Sequence, residues 1–167
     1  MLKKICILTG NELRHQYFRI RLSNDSRFNV LASFCEDVQK SLANRVNSNP
    51  KSHMIEKLHV KARAQSEIDF FSSFINISKD LSKSKIIKKG EINKIHIIKK
   101  ILKLNPDLLI CYGSSLINSV LLEKFKERFI NVHLGLSPYY RGAGTNIWPL
   151  INLEPQYVGA TFMFIDA

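Results

Sequence analysis

Acidic residues are in short supply: 14 Asp and Glu stand against 25 Lys and Arg, a formal net charge of +11. That balance excludes an acidic solvating tail and leaves room for anionic partners. Cysteine is nearly absent too. Cys6, Cys35 and Cys111 share no CxxC or metal-type spacing, so a disulfide framework and a cysteine-based metal site are both excluded, and no metal is expected. Each sits in or at the end of an apolar run, where cysteine acts as a small buried hydrophobe. Glycine is sparse and forms no G-x-G-x-x-G, and T-G-N-E at residues 9–12 lacks the Lys of a P-loop. Long hydrophobic runs are missing. The opening M-L-K-K-I-C-I-L-T-G breaks after about five apolar residues, too few for a signal peptide or a membrane span. A soluble cytoplasmic protein without membrane contact is expected. There is no internal repeat and no low-complexity linker.

What is present is an ordinary globular composition. Hydrophobic residues make up 45% of 167, enough for one domain with a single core. Part of the positive charge lies between Lys83 and Lys103, where Glu91 is the only acid. A nucleic acid or a phosphorylated substrate would suit such a tract. A solvated helix face suits it better, because no aromatics are interleaved as stacking platforms.

Residues 2–9 predict a buried strand, Gly10-Asn11 a turn, and Glu12 to Asn24 a helix, which together open a βαβ unit. The turn beside the helix N-terminus is either a natural anion site or a plain tight turn. Residues 28–34 predict a second strand. After Pro50, apolar positions from Met54 to Ile75 predict one long amphipathic helix, with Phe70, Phe71 and Phe74 as core packing. His53 and His59 are expected on the surface. Lys85–Ile87 predicts a short edge strand, and 92–104 a helix stopped by Asn105-Pro106. His96 falls among that helix's lysines. Residues 107–112 predict the clearest buried strand, followed by a Gly-Ser turn, a helix through Leu121 and Phe125, and a strand from Phe129 to Leu134. Trp148–Leu150 predicts a short helix and 157–166 a last strand. The alternation implies an α/β, Rossmann-like three-layer fold with a mostly parallel central sheet. Loops 9–12, 112–117 and 131–145 then converge at the carboxyl ends of the strands, where ligands bind such sheets.

The stretch F-I-N-V-H-L-G-L-S-P-Y-Y-R-G-A-G-T-N at 129–146 is the best candidate for chemistry. Alternation along a strand puts Asn131 and His133 on one face, an amide and an imidazole side by side where the strand gives way to a loop. An N-x-H pair alone is common. Here it continues into G-L-S-P-Y-Y-R-G-A, and this segment resembles the pattern N-[IV]-H-x-S-L-L-P-x-[YW]-R-G-[AS] of the folate-dependent formyltransferase family. That family includes methionyl-tRNA and glycinamide ribonucleotide formyltransferases. P-D-L-L-I-C-Y-G-S-S-L-I upstream and V-G-A-T-F-M-F-I-D-A downstream resemble two further family segments, so 85–167 is covered in register.

The resemblance implies formyl transfer from 10-formyltetrahydrofolate, a cosubstrate, to an amine, with Asn131 and His133 catalytic. Ser114, Ser115, Leu116 and Ile117 match the loop that flanks the pterin ring. Gly135, Leu136, Ser137 and Pro138 match the folate-contacting turn, with G-L-S-P in place of S-L-L-P. Arg141 matches the R-G of the tRNA and sugar branches. Gly10, Asn11 and Glu12 match a loop that holds substrate phosphate in purine-pathway relatives, although Glu12 replaces a small residue and argues against that substrate. The preferred acceptor is the amino group of a nucleotide-linked amino sugar. Methionyl-tRNA is the second choice. The family's third catalytic residue, an Asp in a G-[LI]-D-x-G segment, would align beyond Ala167, and Asp166 is not its match. Residues 1–167 are therefore expected to be a catalytic domain truncated at the C-terminus, lacking its last strand and helix. Two alternatives remain: a non-catalytic folate- or nucleotide-binding remnant of the fold, and a basic RNA-binding module.

Overall fold

Strands Lys3–Thr9 (β1), Phe28–Glu36 (β2), Ser84–Ile87 (β3), Leu108–Tyr112 (β4), Phe129–Leu134 (β5) and Ala160–Phe164 (β6) form one sheet in the order β3-β2-β1-β4-β5-β6. All neighbours are parallel except β5 and β6. The arrangement is that of a computed structural model, which describes residues 1–39, 41–142 and 144–165. Ala143 of the loop motif and Asp166, expected to end the last strand, lie outside these.

The helices are Leu13–Ser23 (α1), Leu42–Ser48 (α2), Met54–Ile77 (α3), Ile95–Leu104 (α4), Ser119–Lys124 (α5) and Trp148–Ile151 (α6). Parallel strands are buried on both faces, which is why β1 and β4 read as unbroken apolar runs. Successive side chains divide between two cores. Cys6, Leu8, Phe34, Leu109, Cys111 and Phe129 pack with Ile97, Ile98 and Ile101 of α4 and Leu121 of α5. Ile5, Ile7, Val30, Ile110 and Val132 face Phe18 and Leu22 of α1. The three-layer α/β expectation holds.

Two elements begin later than the sequence predicts, and one is buried differently. The expected 92–104 helix opens with a 3-10 turn, Glu91–Asn93, so α4 itself starts at Ile95 and leaves that side chain exposed. Asn105 then closes α4 in the left-handed region (φ 48°, ψ 60°), ahead of Pro106. The last strand is shorter than 157–166, because Pro155–Tyr157 forms a 3-10 turn. The largest difference is in α3, where Val60 is the only buried residue. This helix packs on α1 instead of the sheet. Phe71 and Phe74 each lie 4.9 Å from the Tyr17 ring, while Phe70 stays 81% exposed and is not core packing. His53 and His59 are on the surface as expected, and Cys6, Cys35 and Cys111 are free and buried. No helix among the described residues is long and apolar enough to cross a membrane.

Candidate functional site

Strand addition reverses direction between β1 and β4, so this crevice is the topological switch point of the sheet. The loops after β1, β4 and β5 open around it. Beside the second lies a cleft of about 260 Å³ lined by Cys111, Gly113, Ser114, Ser115, Leu116, Ile117, Leu122, Asn131 and Ile165. The structure thus brings Asn131 together with all four residues expected to flank a heterocycle. Leu116 is 93% exposed, an apolar side chain at the mouth with nothing packed over it.

Asn131 stands beside Cys111 across the parallel β4–β5 pair, on the face that carries Phe129. The Cys111 thiol donates to Asn131 Oδ1 at 3.3 Å. Burial pushes this thiol up to about 12, so it is a protonated donor at neutral pH. With its oxygen engaged, the Asn131 amide has its NH2 free for the cleft. Replacing Cys111 with Ala should lower turnover about three- to tenfold, the worth of one ordinary hydrogen bond. Cys111→Ser should recover most of the loss. Equal rates for parent and Cys111→Ala would show that the thiol does not orient the amide.

His133 follows two residues on and pairs with Thr161 in the antiparallel β5–β6 ladder. Its ring is half-buried. Nδ1 is turned fully inward and has no hydrogen-bond partner among the described residues, which leaves Nε2 for the outer side. The turn after β5 is tightly built. Gly135 adopts φ +104°, and a Cβ there would sit 2.5 Å from Thr145 Cβ. Ser137 N–H donates to Thr161 Oγ1 at 2.9 Å, that hydroxyl donates to Gly135 O at 2.8 Å, and the Ser137–Pro138 peptide is cis. Gly135, Leu136, Ser137 and Pro138 form a hydrogen-bonded turn beside His133, outside the cleft lining. Arg141 is exposed further along the same loop.

The β1 loop forms a separate small recess, where Gly10 and Glu12 join His15, Glu36 and Gly113. Gly113 lines both the recess and the cleft, so the two adjoin. Asn11 turns its Oδ1 inward to accept from Arg19 at 3.1 Å, and the buried Arg19 also donates to Thr9 Oγ1 and Gly10 O. Glu12 caps α1. Its Oε2 lies 2.7 Å from His15 Nδ1, which fixes the imidazole proton on Nδ1. The 3.3 Å approach of the Glu12 N–H to that nitrogen is then a close contact and not a second hydrogen bond. Burial would raise the Glu12 pKa, but the hydrogen bond from His15 and the charge of Arg14 outweigh it and hold the carboxyl at about 2. For His15 burial is the largest influence and lowers the pKa, against the pull of Glu12. The positive end of α1 is therefore answered by the chain's own carboxylate.

Sequence reasoning missed three buried polar residues around the switch point: His15, Arg19 and Glu36. Two glycines hinted at His15, since a Cβ on Gly10 would sit 2.6 Å from its Cε1 and one on Gly113 would overlap its Nε2. Further out, Trp148 of α6 approaches Gly144, where a Cβ would lie 3.5 Å from the indole Nε1. No group of three metal-ligating side chains occurs among the described residues.

A family model described as "Formyl transferase" matches residues 3–167. Among curated proteins, the methionyl-tRNA formyltransferase of Thermodesulfovibrio yellowstonii is 44% identical over 71 residues, 41% of this chain and 22% of that protein. The methionyl-tRNA formyltransferase of Geobacter metallireducens is 37% identical over 84 residues, 49% of this chain and 26% of that protein. The matched stretch thus spans about a quarter of the length of these relatives. Among solved structures, the phosphoribosylglycinamide formyltransferase of Anaplasma phagocytophilum superposes with a TM-score of 0.62 at 10% identity, over 99% of this chain and 66% of that one. A formyltetrahydrofolate deformylase from Pseudomonas syringae gives 0.57 at 10% identity, over 99% of this chain and 46% of that one. At these identities the superpositions establish the fold.

Proposed function

Since the chain belongs to the formyl transferase family, we propose that it moves a formyl group from 10-formyltetrahydrofolate to a primary amine. The observation that carries this reading is the cleft that unites Asn131 with Ser114–Ile117. The donor's heterocycle enters against the backbone and apolar side chains of that loop. The amine lone pair attacks the formyl carbon, and the carbonyl oxygen becomes an oxyanion. The Asn131 NH2 and the His133 imidazole donate to that oxygen. Collapse breaks the bond from carbon to the folate nitrogen, which takes up a proton as the amine gives one up. A buried imidazole nitrogen calls for a partner. A carboxylate accepting from His133 Nδ1 would fix the ring, the role that the resemblance gives to the Asp of a G-[LI]-D-x-G segment beyond Ala167.

For the acceptor, we favour the amino group of a nucleotide-linked amino sugar. The motifs G-N-E-L-R-H and Y-R-G-A-G-T-N-I-W-P support it, and Glu12 disfavours a phosphate bound directly at the β1 loop. Methionyl-tRNA is the second reading, supported by the names of the curated relatives and by the +11 charge. The test incubates the product of the whole reading frame with 10-formyltetrahydrofolate and either uridine- or thymidine-diphosphate amino sugars or methionyl-tRNA. Release of tetrahydrofolate with a formylated amino sugar is expected. Formylation of the tRNA alone would reverse the order of the acceptors, and no release with any amine would sink the transfer reading.

A further inference from the structure

Glu36 ends β2 as a charged residue, yet its side chain is fully buried. Oε2 accepts from the Ser115 N–H at 2.6 Å and lies 3.1 Å from Lys89 Nζ, and Oε1 accepts from the Gly90 N–H at 2.7 Å. The three donors come from two loops, 54 and 79 residues away for the backbone pair. None comes from the strand itself. Ser115 sits in the middle of the segment proposed to receive the formyl donor. Residues 114–118 have no regular structure, and side chains hold them. Besides Glu36, Asn93 donates through Nδ2 to Leu116 O at 2.8 Å and accepts from the Asn118 N–H at 2.9 Å. Glu36 also lines the recess that adjoins the cleft through Gly113.

We propose that Glu36 is the positioning residue of the donor loop: its buried carboxylate pins the Ser115 amide and so sets the shape of 114–117 against which the folate heterocycle binds. The inference rests on the formyl-transfer reading. A carboxylate fits because all three of its partners are donors. Glutamine of the same size offers one acceptor oxygen and one NH2, so Glu36→Gln turns a donor toward either the Ser115–Lys89 pair on Oε2 or Gly90 on Oε1. Leaving such a buried amide unpaired is worth about a factor of ten or more. The sheet stays paired through its backbone, so the effect is confined to the loop.

The test compares the parent, Glu36→Gln and Glu36→Ala, each expressed from the whole reading frame. It follows tetrahydrofolate binding, kcat and KM for 10-formyltetrahydrofolate, and amide hydrogen exchange. For Glu36→Gln, tetrahydrofolate Kd and donor KM should both rise about tenfold or more. Turnover at saturation should stay within about threefold of the parent. Exchange should quicken at Ser115 in Glu36→Ala, and in Glu36→Gln at whichever of Ser115 and Gly90 faces the NH2, while the β1 and β4 amides keep their protection. Unchanged Kd and Ser115 exchange in Glu36→Gln would overturn the proposal. So would loss of protection throughout the sheet, which is what a general structural role predicts. Should Glu36→Ala fail to fold, the glutamine variant decides alone. A parent that binds no tetrahydrofolate would remove the transfer reading together with this proposal, whereas a parent that binds it as tightly as Glu36→Gln removes only the role of Glu36.

Discussion

His133→Ala should cut turnover at least ~100-fold while tetrahydrofolate binding stays within about threefold of the parent. The split follows from where the imidazole stands. It lies outside the lining of the donor cleft, which is made by Cys111, 113–117, Leu122, Asn131 and Ile165. The donor's heterocycle therefore does not depend on it. The reacting oxygen does, because its charge exists only once the amine has attacked, and a donor fixed beforehand stabilises that charge without reorganising. The backbone around His133 is held on one side by β4 and β5 pairing and on the other by the Thr161 ladder position, so Ala should leave Asn131 in place. Steady-state rates and equilibrium titration of tetrahydrofolate check the two halves separately. Near-normal turnover would make the imidazole a structural filler of the β5–β6 pair.

Gly113→Ala should destabilise the fold by about 2–4 kcal/mol. The backbone there has φ +67°, where any side chain costs about 1 kcal/mol. The new methyl would also overlap His15 Nε2, and overpacking adds about 1–3 kcal/mol. The imidazole has nowhere to go. It is 2% exposed, bonded to Glu12 at 2.7 Å and set edge-on to the Tyr112 ring with centroids 4.8 Å apart. For a chain of this length the melting midpoint should fall by about 5–15 °C. The His15→Ala background isolates the overlap: the double variant should be more stable than the two single changes summed, because the methyl then finds room. A Gly113→Ala midpoint equal to the parent's would show that the ring yields, and the switch point would be looser than its packing implies.

Much of this arrangement was legible in the residues. Strands β1 and β4 are continuous apolar runs because helices cover both faces of a parallel sheet, and such runs can be read without a structure. The N-V-H alternation correctly put Asn131 and His133 on one face. What escaped was polar and non-local. Glu36 follows an apolar strand and reads as its solvated end, and only loops 54 and 79 residues away make it a buried acceptor. Arg19 and His15 sit in an ordinary-looking helix, and their burial depends on β1 and β4 loops that no periodicity announces. In α3 the error ran the other way. Its apolar residues suggested a buried face, but the helix rests on α1 and meets the core at Val60 alone. Periodicity reports a preference for burial, while the partner available decides how much is buried.

The place of β1 in the middle of the sheet has a consequence for how the chain is made. Its one flank can be closed early by β2, but the other waits for β4, and the Lys4 N–H that bonds Asp107 Oδ2 must wait across 103 residues. At ordinary ribosomal speed that delay is about 5–20 s. During it, Ile5 through Leu8, fully buried in the finished molecule, border an open edge. The first strand to be synthesised thus keeps one edge open until the fourth has been made. The switch-point crevice between β1 and β4 cannot exist until translation has passed the second of its two walls.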